Sequence, residues 1–463
     1  MDFQENSSPW LFQIKRIRPA RAISKDSTAD IVVVGAGIAG VATAYFILRN
    51  TDKRVIVMEA GKVAHGATGH NAGQVVSYFE RPFNDIVKEF GENMATAGLA
   101  EVESAWDLIE LIYKETGIEV PLSQFTGYAG CTTLDQILQH LKNDIYRIKA
   151  NLPRGPVIID KAIIEKNLIP ERYDGMYEVA SSRKILNLLE TDKKHYIAAL
   201  GSRKGCLNSA HFTEDLFTVL LEKYPDRFEI FENTPADIVR LHKNNAEIIS
   251  GPHTITTGRV ILCTNGFEKL KIENNHGVSI NKEFHHMVKG SIGYMAAYRD
   301  IGDRPATATS YLPAENSDED GALLDATPYY YLTRRIHYTG IEIEPGLISV
   351  GGPEKRIDDT TSYSNSHSFP DEARAAIDTF LQDTYRHVPA KKIRYAFLWH
   401  GLMGYTPNGI RRVGADPHNP ILLYNLGCNG IGILPSIAGG ERISKIIRGD
   451  TLSPSIFDIP MHN

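Results

Sequence analysis

"ADIVVVGAGIAG", residues 29–40, decides the fold. Ile31 to Val34 is a continuous β-branched run, the pattern of a strand buried on both faces of a parallel sheet. Gly35, Gly37 and Gly40 follow as GxGxxG, and "IAGVATAYFILRN" (38–50) then has helical spacing. "RVIVMEA" (54–60) is a second buried strand that carries Glu59 near its end. The three pieces make a βαβ unit at the start of an α/β sheet. Gly35 permits the tight turn, and Gly37 lets the backbone approach a pyrophosphate. There the unpaired N–H groups of the helix start, at Ile38 and Ala39, favour an anion. Gly40 lets the helix pack close to the strand. Glu59, with Ala60 beside it, is placed to bind the ribose hydroxyls of an adenosine. A lone GxGxxG is a weak signal; the flanking strand, helix and acid make this one specific for a dinucleotide.

The 463 residues exceed one ordinary domain and predict two interleaved ones. Hydrophobic residues make up 42% and charged residues 23%, the balance of a globular protein with a sizeable core. A net charge of −6 gives no electrostatic support for nucleic-acid binding. Lys15, Arg16, Arg18 and Arg21 form one basic run, expected to be a solvated arm. Cys131, Cys206, Cys263 and Cys428 are scattered, with no CxxC pair, so no metal or redox motif is visible and a reducing compartment is expected. The N-terminus lacks the basic start and apolar run of a secretory signal, and no window has the length of a membrane span. A cytoplasmic location is the expectation.

Residues 84–150 read as mostly helical, and a further helix falls around 205–224. "FEIFE" (228–232), "ADIVRLH" (236–242) and "TITTGRVILCTNG" (254–266) read as strands, with Gly258-Arg259 as a turn inside the last. From 288 to 351 the pattern is again β-rich, with "PYYYLTRR" and "GLISVGG" its clearest strands. "ENSDEDGA" (315–322) reads as an acidic solvated loop, and 371–385 as a helix. The last module returns to strand, glycine turn and helix.

"GATGHNAGQ" (66–74) packs three glycines around one histidine and one asparagine, with no apolar period. Lying straight after Glu59, it must pass close to something flat and polar beside the dinucleotide. Thr68, His70, Asn71, Ala72, Gly73 and Gln74 are its candidate contacts.

With "IVVVGAGIAG", "VILCTNG", "LISVGGPE", "GYTPNG" and "GCNGIGILPSIAGG", this stretch resembles the D-amino acid oxidase-like family of FAD-dependent oxidoreductases. The likeness is nearest its γ-glutamylputrescine oxidase and glycine oxidase branch and spans about 29–449. It implies a mixed α/β fold: a Rossmann-like FAD domain interleaved with a substrate domain on a large, mostly antiparallel sheet with helices. The expected division is 27–82, 178–270 and 398–450 for the FAD domain, 83–177 and 271–397 for the substrate domain, and 1–26 as an arm. Thr264, Asn265 and Ala236 are implied FAD contacts. Gly430, Ile431, Gly432 and Ile433, opening the last helix, would face the flavin pyrimidine.

In this family the flavin carries the chemistry, so no catalytic side chain is assigned. The expected reaction oxidises the C–N bond of a small-molecule amine by hydride transfer, giving an imine that hydrolyses. O2 or another acceptor reoxidises the flavin, and neither Lys289 nor Lys355 is assigned to oxygen activation. A glycine or D-amino acid oxidase is the alternative, and a non-catalytic FAD-binding assembly factor a third reading. Tyr329, Tyr331, Arg334, Trp399, His400 and Met403 are the candidate cavity wall, with core packing the competing role for the tyrosines and for His400. Where glycine oxidase-like sequences place carboxylate-binding arginines, this chain has Met403 and Cys428, so the substrate is expected to lack an α-carboxylate unless Arg334 or Arg335 substitutes. FAD is expected to be held without a bond. A covalent link through His70 is the alternative, because related dehydrogenases carry FAD on a histidine in the matching stretch.

Overall fold

The computed structural model describes residues 6–460, except 268, 281–287, 301, 303, 315–328, 339–342, 358–361 and 389–392. The expected acidic loop at 315–322 lies outside the described residues.

Two sheets share the chain. The first holds β1 (Ser27–Val34), β2 (Val55–Met58), β8 (Phe228–Phe231), β9 (Ile238–Leu241), β10 (Ala246–Ser250), β11 (His253–Leu262), β12 (Lys271–Asn274), β18 (Arg412–Ala415) and β19 (Leu422–Leu426). The second holds β3 (Gln74–Val75), β4 (Leu122–Cys131), β5 (Val157–Asp160), β6 (Glu178–Ala180), β7 (Ala198–Leu207), β13 (Lys289–Arg299), β14 (Thr307–Tyr311), β15 (Tyr330–Tyr338), β16 (Ile343–Ile357) and β17 (Phe397–Tyr405). In the first, β11, β1, β2 and β8 are neighbours and parallel. The second is mostly antiparallel, with β14–β4 and β5–β6 as parallel pairs. Every residue of β2 is buried, as the unbroken apolar run requires of a strand covered on both faces.

Helix α1 (Pro9–Phe12) lies in the N-terminal arm, and α2 (Ile38–Asn50) follows the glycine turn. α2 is buried from Ile38 to Leu48, so its apolar residues cover the whole circumference. Part of that cover is the C-terminal helix Ile433–Arg448, where a Cβ at Gly440 would lie 2.7 Å from the Ala42 carbonyl carbon. Gly40 faces the carbonyl oxygen of Gly35, and a Cβ there would collide with it. Gly35 itself has φ +104°, a conformation open to glycine.

One expectation holds with an interruption, and two need correction. The region 84–150 holds helices α3 (Phe83–Phe90), α4 (Glu92–Glu103), α5 (Ala105–Thr116) and α6 (Leu134–Lys149), but strand β4 interrupts it. Gly258-Arg259 is not a turn. β11 runs straight through it, because its first half pairs with β10 and its second half with β19, both on the side away from β1. The basic arm is solvated only in part: Lys15 and Arg21 are exposed, but Arg16 and Arg18 are not. Arg16 and Arg18 each bridge Glu214 and Glu232, whose side chains are almost fully buried. Desolvation of those two carboxylates is offset by two guanidinium groups at once, which ties the arm to the first sheet.

Substituting Gly40→Ala tests the close turn. The new methyl group meets backbone rather than a flexible side chain, so stability should fall by about 3 kcal/mol, read as a lowered thermal melting point.

Candidate functional site

One cavity of about 880 Å³ runs from the β1–α2 turn to the strands of the second sheet, within the size range of cofactor and ligand sites. At its first end it is lined by Gly35, Gly37, Ile38 and Ala39, while Gly40 sits behind them as a packing residue. The Thr68 hydroxyl accepts the Ile38 N–H at 2.9 Å and fixes the loop to the helix start. Glu59 accepts N–H bonds from Ala36 (2.9 Å) and Gly61 (2.8 Å). Burial raises its pKa, and those two bonds pull it back. Ala60 and Ala236 stand beside it in the wall.

The loop 66–74 crosses the middle as a short 3-10 turn, Ala67–Gly69. The Asn71 amide is used inside the loop. It donates to Ala67 (3.1 Å) and Thr68 (2.9 Å) carbonyls and accepts from Gly73 N–H (2.7 Å), so Asn71 offers the cavity mainly backbone. The His70 Nδ1 bonds the Gly66 carbonyl at 3.0 Å, and burial lowers its pKa, which keeps the ring neutral. Thr68, His70, Asn71, Ala72, Gly73 and Gln74 all line the cavity.

Beneath this loop lies Trp10. Its indole N–H donates to the Asn71 carbonyl at 2.6 Å, and the Ser8 hydroxyl donates to the Gly69 carbonyl. Gly73 has φ +68°, and a Cβ there would collide with the Trp10 ring. The Arg335 guanidinium lies 4.2 Å from the Trp10 ring centroid, and Trp399 meets the ring edge-on at 6.4 Å. The "SPW" arm is therefore the floor of the glycine loop.

Opposite, just past the end of β11, Thr264 and Asn265 also line the cavity. The Asn265 side-chain oxygen accepts the Cys428 N–H at 2.9 Å, while its buried amide nitrogen has no partner among the described residues. Gly430, Ile431, Gly432 and Ile433 complete this wall at the start of the C-terminal helix. Neither α2 nor that helix is capped by its own N-cap side chain, Thr68 taking one N–H of α2, and both begin at the cavity. Two helix starts, an orphan amide donor and a carboxylate acceptor beyond β2 suit an adenine dinucleotide.

The far end is aromatic and acidic. Tyr329, Tyr331 and Met403 line it as expected. Tyr330 points the other way and stacks on Phe380 at 4.2 Å. The other three candidates are misplaced. Arg334 shares the Tyr330 face of β15 and forms an ion pair with Glu190 at 2.6 Å. His400 is one residue out of phase with Gly401 and Met403. It faces the back of β17, with its Nδ1 3.0 Å from the Tyr363 hydroxyl and its Nε2 2.9 Å from the His367 carbonyl oxygen. Trp399 has the right parity but is fully buried against Trp10. Sequence reasoning missed Tyr78, Glu80, Glu354 and Tyr405, which complete this end. A signal for two of them existed: Gln74, Val76, Tyr78 and Glu80 alternate, as residues on one face of an extended chain do, and all four line the cavity. Burial raises the Glu80 carboxyl to about 7, against the Tyr329 hydrogen bond and the Lys204 charge.

Residues 30–446 match the model of the DAO family, FAD dependent oxidoreductase. "Probable oxidoreductase OrdL" of Haemophilus influenzae is 39% identical over 437 residues, 93% of this chain and 85% of that one. Gamma-glutamylputrescine oxidoreductase of Escherichia coli is 30% identical over 92 residues, 20% of this chain and 21% of its own. Two of the curated relatives are thus matched over only about a fifth of their length. The crystal structure of glycine oxidase from Bacillus cereus superposes with a TM-score of 0.63 at 14% identity, covering 91% of this chain and 95% of its own.

Replacing Trp10 with alanine removes the floor of the loop. Stability should drop by about 3–5 kcal/mol, and the FAD-to-protein ratio of the purified protein should drop with it. Trp10→Phe keeps the ring and loses the bond to Asn71, so it should fall between the two.

Proposed function

The chain belongs to the DAO family of FAD-dependent oxidoreductases and FAD is its cofactor; from that premise we propose that it oxidises the C–N bond of an amine whose reacting carbon bears no carboxylate. The observation that carries this reading is the charge of the cavity's far end. Two carboxylates, Glu80 and Glu354, stand there among Tyr78, Tyr329, Tyr331 and Tyr405. Among the described residues, the cavity-lining cations lie elsewhere. Arg411 is turned onto Asn425, bonding its side chain at 2.7 Å and its backbone at 2.9 Å. Lys269 precedes β12, at the edge of the first sheet. A carboxylated substrate would leave its anion without a guanidinium, at a cost of several kcal/mol. Arg334 is held by Glu190 and Arg335 lies under Trp10, so neither supplies the missing clamp.

The chain's own residues then have three tasks. The tyrosines give a cation an electron-rich wall. The loop on Trp10 and the start of the C-terminal helix hold the cofactor in place. The enclosing strands exclude bulk water from the reacting nitrogen. When bound, FAD supplies the acceptor for the hydride leaving the carbon beside that nitrogen.

Anaerobic bleaching of the flavin against a panel of amines tests the reading. Butylamine and N-acetylputrescine should reduce the holoenzyme with kcat/KM at least about 100-fold above glycine, sarcosine and D-alanine, a difference of about 3 kcal/mol. Better turnover of the small amino acids would instead make this an amino-acid oxidase, and no reduction by any compound would favour a non-catalytic FAD protein.

A second measurement concerns His70. We infer that FAD is held without a covalent bond, with the His70 ring, tied to the Gly66 carbonyl through Nδ1, as a polar contact to it. Acid precipitation should leave all the yellow colour in the supernatant; colour in the pellet would mean a covalent link.

A further inference from the structure

Glu80 lies where the two halves of the cavity meet. Its Cγ is 2.8 Å, and the Tyr405 hydroxyl 3.1 Å, from the point a Cβ would take at Gly430, in the turn that opens the C-terminal helix. The Tyr329 hydroxyl is 3.4 Å from its carboxylate. Tyr78, Tyr331 and Tyr405 all stand in its field, and Tyr331 and Tyr405 also feel Glu354. From β7, Lys204 adds a positive charge, its ammonium bonded to Ser310 at 3.4 Å. Arg81, next in the chain, turns away to Glu89 and the Asn408 carbonyl. Glu80 is thus a carboxylate that opens into the cavity beside the cofactor turn, in an aromatic surround, where the mechanism above gives it no task.

We propose that Glu80 receives the substrate's ammonium group and takes its proton, so that a neutral amine stands in the cavity. This rests on the amine reading of the same site. The step balances without an oxidant: an N–H bond breaks, an O–H bond forms on Glu80, and the electron pair stays on nitrogen. A carboxylate and an ammonium enter, and a carboxylic acid and an amine result. Glu80 is exposed to the open cavity; once cofactor and substrate fill that space, the tyrosines around it leave little water, which favours the neutral pair over the charged one. Glu80 is suited to the exchange because the protein packed around it, with its side chain still open to the cavity, raises its carboxyl to about 7, close to a working pH, where a base is most effective.

Two readouts on the holoenzyme test this, with flavin absorbance confirming that each variant is folded and loaded. Tetramethylammonium, a cation with no proton to lose, is titrated while the flavin spectrum is followed. Its binding to the wild type should tighten about tenfold between about pH 6 and about pH 8 as Glu80 ionises. In Glu80→Gln that dependence should vanish. The second readout is the rate of anaerobic flavin reduction by butylamine or N-acetylputrescine. Glu80→Gln should lose about 100-fold near neutrality and recover as pH rises toward the amine's own pKa, about 10, where the neutral form is supplied by solution. Glu80→Asp should keep part of the wild-type profile. A merely structural loss would be the same at every pH and would overturn the proposal. So would a Glu80→Gln profile that matches the wild type. If no amine reduces the wild type at any pH, the amine reading itself falls, and this role falls with it.

Discussion

The site depends on one close approach of backbone to backbone. At the β1–α2 turn the chain passes so near itself that Gly40 faces the Gly35 carbonyl with no room for a Cβ. This approach seats α2 tightly on the first sheet. The C-terminal helix then lies on α2 at a similarly short range, through Gly440. Both helices therefore begin at the same cavity, one after β1 and one after β19. Their partial positive charges converge on the cavity, where they would favour the negative charge of a pyrophosphate or a reduced flavin. A larger residue at either contact would move a helix and aim its N-terminus elsewhere.

Electrostatically the cavity has two characters. Its first end offers N–H groups and an orphan amide donor to an anion. Its second end offers carboxylates and ring faces to a cation. The first sheet, mostly parallel around β1, builds the former. The second sheet, mostly antiparallel, builds the latter, because alternation along β15, β16 and β17 sends every second side chain inward. Glu80 and Gly430 are the seam, since the extended segment that leaves the glycine loop meets, at Glu80, the turn before the last helix.

What could be read from sequence follows the range of the interaction. The βαβ turn, Glu59 and the last helix start are short-range patterns, and each of their residues lies at or directly behind the cavity wall. Tyr329 and Tyr331 followed from strand parity. Arg334 and His400 failed on the same rule, applied one residue out of phase: each is of opposite parity to its cavity-facing neighbours. Trp399 has the right parity and is still hidden, because the arm's Trp10 covers it, and no local pattern announces a contact of that separation. The basic arm was misread for the same reason. Its partners, Glu214 and Glu232, lie on the far side of the first domain's sequence. Tyr78 and Glu80 were legible by alternation but fell past the end of the motif.

The arm also sets a clock on assembly. Trp10 is synthesised more than 300 residues before Arg335 and Trp399, against which it rests. Until those strands emerge from the ribosome, the segment that supports the glycine loop has Asn71, Gly73 and Asn208 to lie on, without the two later side chains. Contacts of such sequence separation close late, since the loop entropy must be overcome before they contribute. Arg16 and Arg18 find their carboxylates earlier, once β8 is made. The arm is thus anchored at one end first and seated at the other last, which places completion of the cofactor loop among the final events of folding.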